Sequence, residues 1–163
     1  MARWSGNVPT WTPVAVADTT NFTDAGHMTL QGGSTTQRSN ILEVYMGGQA
    51  GGSSPSIMLL ARDSTVGATL SVGRLAAIDP ATAALSSPPV LFNTATTKPQ
   101  RSSTLSLLNL SFNAFGGIVR WVGAPGEEIG MLGNTASLGE VSLSAFTGGT
   151  PGLLGSHIIF EPF

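Results

Sequence analysis

The chain has 163 residues and no cysteine, and its 7 basic and 9 acidic residues leave a formal net charge of −2. A hydrophobic content of 41% excludes a disordered tail, because such segments combine low hydrophobicity with high net charge. The absence of clustered Lys and Arg argues against nucleic-acid binding, which requires neutralisation of phosphates.

Residues that favour turns divide the sequence into short segments. Gly, Pro, Ser and Thr account for 67 of the 163 residues. The segments between their clusters have the length and alternation of β-strands. They are residues 13–17, 27–31, 40–46, 56–62, 68–72, 105–112, 118–122, 128–132, 137–146 and 157–161. This pattern predicts an all-β fold, a two-sheet β-sandwich of jelly-roll type with about nine or ten short strands and at most one short helix.

Residues 1–12 are predicted to form an N-terminal arm, followed by a single sandwich domain over residues 13–163. Arg3, Trp4 and Trp11 lie in this arm, and Trp and Arg are preferred anchors at protein interfaces. Two interpretations stay open. Either the arm contacts a neighbouring subunit, or it folds back on its own sandwich.

Two segments in the first half have clear strand patterns. In residues 40–46, one face is formed by Leu42, Val44 and Met46, and the other by Ile41, Glu43 and Tyr45. Residues 56–62 are almost continuously apolar, which predicts burial on both faces of that strand.

Residues 73–104 interrupt the regular spacing and are predicted to form an irregular surface excursion. Asp79 is suited to cap a helix N-terminus and Pro80 to its first position, so one short helix is predicted over residues 79–85. Long irregular segments in compact domains usually serve binding. We therefore expect Lys98 and Arg101 to contact a partner.

The second half has the clearest pattern. Pro125 and Gly126 occupy the positions that a type II turn favours. Residues 137–146 alternate, which places Val141, Leu143 and Ala145 on one face. The other face is formed by Leu138, Glu140, Ser142 and Ser144.

Candidate catalytic and metal-binding residues do not form a known motif. Asp24, His27 and His157 lack a recognisable zinc-ligand pattern, and Ser156–His157 lacks the context of a nucleophile elbow. Glu127 and Glu128 would point to opposite faces of a strand, whereas glycoside hydrolysis needs two converging carboxyl groups. The sequence therefore predicts no enzyme, no cofactor and no metal site.

The low charge predicts a protein whose surface is covered by neighbours. Charged residues make up 10% of the chain, where soluble domains average about 25%. Six of the seven basic residues are Arg, the cation that interfaces favour over Lys. We expect the isolated protein to be oligomeric or to self-associate.

Parts of the sequence resemble small structural proteins of tailed bacteriophages. The resemblance is carried by FNAFGGIVRW at 112–121, APGEE at 124–128, SLSAFTGGTPG at 142–152 and GSHII at 155–159, with weaker similarity at 43–46 and 60–64. These stretches are not site motifs, so no functional residues carry over. Within this group, capsid cement or decoration proteins are similar in size, β-rich and low in charge.

The resemblance implies a non-enzymatic virion protein that binds the outer capsid surface and stabilises the head by bridging major capsid subunits. The expected partners are the major capsid protein and copies of the chain itself, with a trimer matching a local threefold axis. Its expected location is the capsid surface, after synthesis in the host cytoplasm, without nucleic-acid or membrane partners. The alternative is a tail-associated or receptor- or carbohydrate-binding module, which should bring aromatic and polar groups together in a groove.

Overall fold

The computed structural model describes residues 2–11, 28–66, 68–72, 74–97, 99–135, 138–147 and 152–163. Within these ranges the chain forms twelve β-strands in two sheets, and no helix that could cross a membrane is found. The strands are β1 (Trp4–Trp11), β2 (Met28–Gln31), β3 (Arg38–Gln49), β4 (Pro55–Thr65), β5 (Ala68–Val72), β6 (Arg74–Ala77), β7 (Val90–Thr97), β8 (Gln100–Asn113), β9 (Phe115–Val122), β10 (Ile129–Leu132), β11 (Glu140–Thr147) and β12 (Leu153–Pro162).

The two sheets are antiparallel and pack against each other. Sheet A has the order β10-β3-β12-β1-β6, with β9 also paired to β3, and sheet B has the order β5-β7-β2-β11-β4-β8. The prediction of an all-β fold with two packed sheets is confirmed. The twelve strands exceed the predicted number because β1, β6 and β7 form in segments expected to be an arm or an irregular excursion.

The core lies between the sheets because alternating strands turn their apolar side inward. On β11, Val141, Leu143 and Ala145 share one face, as the alternation predicts, and are fully buried. Burial of each large aliphatic or aromatic side chain contributes about 1.5–3 kcal/mol to folding. The other large members of this core are Val8, Met28, Leu30, Ile41, Val44, Met46, Met58, Leu60, Leu91, Met131, Leu154, Ile158 and Phe160.

Strand β4 is buried on both sides, as its continuous apolar sequence predicts. Met58 and Leu60 belong to the core between the sheets. Leu59 and Ala61 point to the opposite face of sheet B and are also buried.

The segment predicted as an N-terminal arm forms, over residues 4–11, an interior strand of sheet A. Trp4 lies opposite Phe160 of β12 on one side and Ala77 of β6 on the other. The side chain of Trp4 packs against the core, and Gly6 lies against Leu75. Gly6 and the neighbouring polar residues weaken the alternation of this segment, so its strand character is not evident from the sequence. Within this segment, the structure agrees with the interpretation that the arm folds back on its own sandwich.

A β-bulge changes the predicted faces of β3. Glu43 pairs with Ile159 and Ile41 with Phe160, which leaves Leu42 as the extra residue. Ile41 is therefore turned into the core, although the sequence pattern placed it on the face of Glu43 and Tyr45. Beyond the bulge the predicted alternation holds, with Val44 buried and Tyr45 on the outer face.

The segment 73–104 contains less irregular structure than the sequence indicates, because β6, β7 and the start of β8 form within it. The helix expected over residues 79–85 is a turn. Asp79 accepts hydrogen bonds from the Ala81 and Thr82 amides, through its side chain at 2.9 Å and its carbonyl at 3.0 Å. The capping interaction thus forms without a following helix.

The predicted turn at Pro125–Gly126 connects β9 to β10. The Glu127 amide donates to the Ala124 carbonyl at 2.8 Å, and Gly126 has a φ of 89°. This left-handed φ is the one that a type II turn requires at its third position. The turn allows β9 and β10 to pair one after the other with the same long strand, β3.

Candidate functional site

Four polar side chains meet on the outer face of sheet A. His157 of β12 lies directly opposite Tyr45 of β3, which lies opposite Arg120 of β9. Glu43 is two residues before Tyr45 and therefore shares its face. We call these four residues the Tyr45 cluster.

Hydrogen bonds and ring stacking hold the Tyr45 cluster in one arrangement. Arg120 donates from Nε and Nη2 to the two carboxylate oxygens of Glu43, both at 2.8 Å. His157 Nε2 lies 3.3 Å from Glu43 Oε1. The rings of Tyr45 and His157 stack with centroids 4.8 Å apart and an interplanar angle of 5°. The stacked pair is thus held through the contact of His157 with Glu43, which Arg120 also binds.

The charges in the Tyr45 cluster compensate each other. The hydrogen bond from Arg120 holds the pKa of Glu43 below its ordinary value, against the effect of burial, and the hydrogen bond to His157 acts in the same direction as Arg120. Glu43 in turn raises the pKa of Arg120. The pair therefore stays ionised at neutral pH, with no net charge.

A depression of about 220 Å³ lies beside Tyr45. Its floor contains Gly47 of β3 and Gly155 of β12, which lie opposite each other in the ladder. Two neighbouring residues without side chains leave this space in an otherwise covered sheet face. Ile118, Gln49 and the Tyr45 side chain form part of the surrounding wall.

A second bulge shapes the far end of this depression. The pairing of β3 with β9 shifts between Gly47 and Gln49, where Gly116 and Gly117 line the depression. Gly116 has a φ of 71°, a conformation that favours glycine. Bulges often occur next to functional sites because they redirect side chains.

A second depression, of about 210 Å³, is lined by Arg38, Arg62 and Leu138 among other residues. The Arg62 guanidinium donates to the carbonyls of Gly130 at 2.7 Å and Leu138 at 3.3 Å. Arg38 lies 5.7 Å above the ring of Phe163. Because Arg62 ties β4 of sheet B to β10 of sheet A, its role here is structural.

Three ionisable residues are fully buried on the face of sheet B that points away from the core: Asp63, Arg101 and Glu140. Ser142 donates to Asp63 Oδ2 at 2.7 Å, and Gln31 donates to Glu140 Oε2 at 2.7 Å. Arg101 donates to the hydroxyl of Ser144. We call Asp63, Arg101 and Glu140 the buried ionic cluster.

Burial is the main cause that raises the pKa of Asp63 to about 8. The hydrogen bond from Ser142 opposes this rise, the negative charge of Glu140 and a hydrogen bond with it add to it, and Arg101 opposes it. Asp63 is therefore protonated at neutral pH. The cluster has no exposed surface through which a substrate could reach it.

The residues expected at a partner interface have different environments. Arg3 is exposed, and Trp4 is half-buried against the core. The backbone of Trp11, at the end of β1, pairs with Leu154 of β12. Lys98 lies outside the described residues. Arg101 is fully buried, because β8 pairs with β4 and sets Arg101 opposite Asp63. It therefore does not lie on the surface at which we expected it to contact a partner.

The candidate metal and catalytic residues are not brought together in the described part of the chain. Within it, no group of three or more His, Cys, Asp or Glu side chains could hold a metal ion. Asp24 and His27 lie outside it. Ser156 is buried and donates to the sulfur of Met28 at 3.3 Å, on the opposite face of β12 from His157.

The Tyr45 cluster was not identified from the sequence because its members are far apart along the chain. Glu43 and His157, for example, are separated by 114 residues. A signal was present in the alternation of Glu43, Tyr45 and Gly47 on one face of β3. No family model matches the chain, and no curated protein or solved structure shows significant similarity to it.

Proposed function

We propose that the chain is a non-enzymatic structural protein of a tailed-phage virion, which binds the outer capsid surface and stabilises the head by bridging major capsid subunits. The observation that carries this proposal is the apolar surface of β9, which pairs only with β3 among the described strands. Phe115, Ile118 and Val122 on this strand are 59%, 62% and 55% exposed. The charge of Arg120 is compensated by Glu43. Such a surface fits an interface, where apolar residues and Arg are favoured and Lys and Asp are rare.

Stabilisation of the head would follow from mass action. A protein that binds only assembled capsid subunits lowers the free energy of the assembly relative to its separated parts. In this proposal the partners are the major capsid protein and further copies of the chain, arranged as a trimer on the capsid surface.

We also infer that the sandwich is of jelly-roll type. In sheet A the path β1-β12-β3-β9 faces the path β2-β11-β4-β8 of sheet B. Apart from the step from β4 to β8, the chain alternates between these two sets of four strands. Viral capsid and lectin domains both use the jelly roll, so the architecture is compatible with a virion protein without identifying its role.

Quantitative mass spectrometry of purified virions tests the location. Hundreds of copies per particle are expected for a head protein, and a handful would indicate a tail component. Absence of the chain from the particle would overturn both proposals.

The heat resistance of particles tests the stabilising role. Heads that lack the protein should release DNA at a lower temperature than complete heads. Adding back the Ile118→Lys variant should not restore heat resistance, because the added charge would lie in the apolar β9 surface that is proposed to contact the capsid subunits. Leu105→Lys, on strand β8 of the other sheet, is the matched control and should restore it. Equal resistance with and without the protein would contradict the role.

A second candidate function is a tail-associated or receptor-binding module that binds carbohydrate. The depression beside Tyr45 favours it, because aromatic and polar groups converge there on a concave surface. The copy number in the particle separates this candidate from the first.

A further inference from the structure

We propose that the depression beside Tyr45 binds one uncharged hexopyranose ring of a glycan. This inference deepens the second candidate function and rests on it for its biological setting. Its physical basis is the shape, the lining and the charge of the outer face of sheet A.

The shape comes from the opposed glycines in the floor. A Cβ atom on Gly47 would lie 3.1 Å from Ile118 Cγ2 and 3.4 Å from the Tyr45 hydroxyl oxygen. Any side chain at this position would therefore enter the space between Ile118 and Tyr45. The depression therefore depends on the absence of a side chain at residue 47, together with the other glycines that line it, among them Gly116, Gly117 and Gly155.

The volume suits a single ring. Pockets that enclose drug-sized ligands usually measure about 300–1,000 Å³. At about 220 Å³ and open to solvent, the depression is smaller and would leave part of its ligand uncovered. A terminal sugar unit is such a ligand, because it can enter the depression while the rest of the glycan extends into solvent.

The lining matches the two surfaces of a pyranose. Such a ring has faces of C–H bonds and a rim of hydroxyl groups. Ile118 and the glycine floor offer apolar contact to one face. The Tyr45 hydroxyl and the Gln49 amide offer both donors and acceptors to the rim.

Stacking of His157 on Tyr45 holds the Tyr45 ring in place before a ligand binds. His157 covers Tyr45 in parallel at 4.8 Å, and Glu43 holds both His157 and Arg120. Fixing the Tyr45 ring before binding lowers the conformational entropy that the ligand must offset. Because the positive charge of Arg120 is compensated by Glu43, the site favours an uncharged sugar over an acidic one.

Saturation-transfer difference NMR with glucose, galactose, mannose and glucuronic acid tests the inference on the full chain. At least one neutral hexose should show saturation transfer at millimolar concentration. The Gly47→Ala variant should weaken that binding by about tenfold or more, since its methyl group occupies the floor. Tyr45→Phe keeps the ring but removes the hydroxyl, and a lost hydrogen bond corresponds to about a 2- to 10-fold weaker affinity.

Gly130→Ala is the matched control for Gly47→Ala. Gly130 also lies in sheet A, but a Cβ there would meet only Asn40 Oδ1, at 3.8 Å. Its sugar binding should equal that of the unchanged chain, and the cooperative thermal transition of each variant shows whether it is folded. Absence of transfer from every neutral hexose, binding of glucuronic acid alone, or binding unaffected by Gly47→Ala would each overturn the inference.

The outcome is separable from that of the proposed functions. Sugar binding by a protein found in hundreds of copies would leave the inference intact and reject the tail setting. If the protein is found in the tail but binds none of the neutral hexoses, the tail location stands and the inference about the sugar is overturned.

Discussion

Arg101 illustrates how a charged residue can be required inside a sheet. It is fully buried beside Asp63 and Glu140, and its guanidinium donates to Ser144. The positive charge of Arg101 lowers the pKa of Asp63, against the effects of burial and of Glu140, so it compensates negative charge on this pair of buried carboxyl groups. Burial of an ion pair contributes little net stability, but removal of one partner leaves the other uncompensated in a medium of low dielectric constant.

We predict that Arg101→Met lowers the free energy of unfolding by about 3–5 kcal/mol, the usual cost of breaking a buried ion pair. Urea denaturation at neutral pH measures this loss. Arg120→Met is the matched control, since Arg120 is also in a strand but is exposed, and it should change stability little. If the two substitutions lowered the free energy of unfolding equally, the burial of the ionic cluster would not be the cause of the loss.

The raised pKa of Asp63 predicts that stability falls as the pH rises. Between the unfolded value of 3.8 and the folded value of about 8, the folded state binds one proton more than the unfolded state. The contribution of Asp63 is therefore fully present below pH 3.8 and is lost as the pH rises through about 8. The slope is about 1.4 kcal/mol per pH unit in this window.

We predict that Asp63→Asn makes the chain less sensitive to pH. The amide resembles the protonated carboxyl group and does not ionise when the chain unfolds, so the variant should be more stable than the unchanged chain at pH 6 and exceed it by a larger margin at pH 9. Urea denaturation at both pH values measures the difference. An unchanged chain that is equally stable at the two pH values would contradict protonation of Asp63.

At the level of strands, the sequence is informative where one face is apolar. Strands β4 and β11 are predicted correctly because their apolar residues are either continuous or strictly alternating. Strand β1 is not, because Gly6 contributes no side chain to the inner face between Trp4 and Val8. The bulge at Leu42 is also not evident, since it depends on the register between β3 and β12 rather than on local sequence.

The site depends even more on register. Tyr45, Arg120 and His157 become neighbours only through the pairing of three strands, and a shift of one residue would turn each to the other face. Glycines such as Gly47 predict turns in a sequence. Gly47 contributes to the floor of the depression because strand pairing places Gly155 opposite it, and this pairing cannot be predicted from the local sequence. Arg101 was assigned to the surface because its own segment is polar, while its burial depends on β4.

The position of β1 leads to a prediction about truncation. Removal of residues 2–11 would expose the edges of both β12 and β6, and it would remove the core contacts of Val8 and Trp4. We therefore expect the truncated chain to lose its cooperative thermal transition, measured by circular dichroism. A truncated chain that melts like the full one would show that this segment is a dispensable arm.

For the whole molecule, the scarcity of charge and the exposed apolar residues of β9 act together. An exposed, apolar edge strand is a site where chains associate, because its backbone groups and side chains are available to a second strand. The charge of Arg120 on this strand is compensated by Glu43, and Gly116 and Gly117 have no side chains. None of these residues therefore opposes contact with a second strand.

We predict that the isolated chain sediments as an oligomer in analytical ultracentrifugation and that Val122→Lys shifts it toward the monomer. Leu105→Lys adds the same charge to the edge strand of sheet B and should leave the oligomer unchanged. A monomer at all concentrations of the unchanged chain would contradict self-association, and equal dissociation by both variants would place the contact elsewhere than β9.

The pairing of β1 with β12 has a consequence for chain connectivity. Because Trp4 lies opposite Phe160, the first and last strands run side by side and their outer ends are adjacent. A short linker could join Phe163 to Ala2, and a new opening between the exposed Gly51 and Gly52 would give a chain that begins with β4 and ends with β3. Such a circular permutant would keep every strand pairing described above. The order in which the strands are synthesised could thus be changed while the sandwich stays the same.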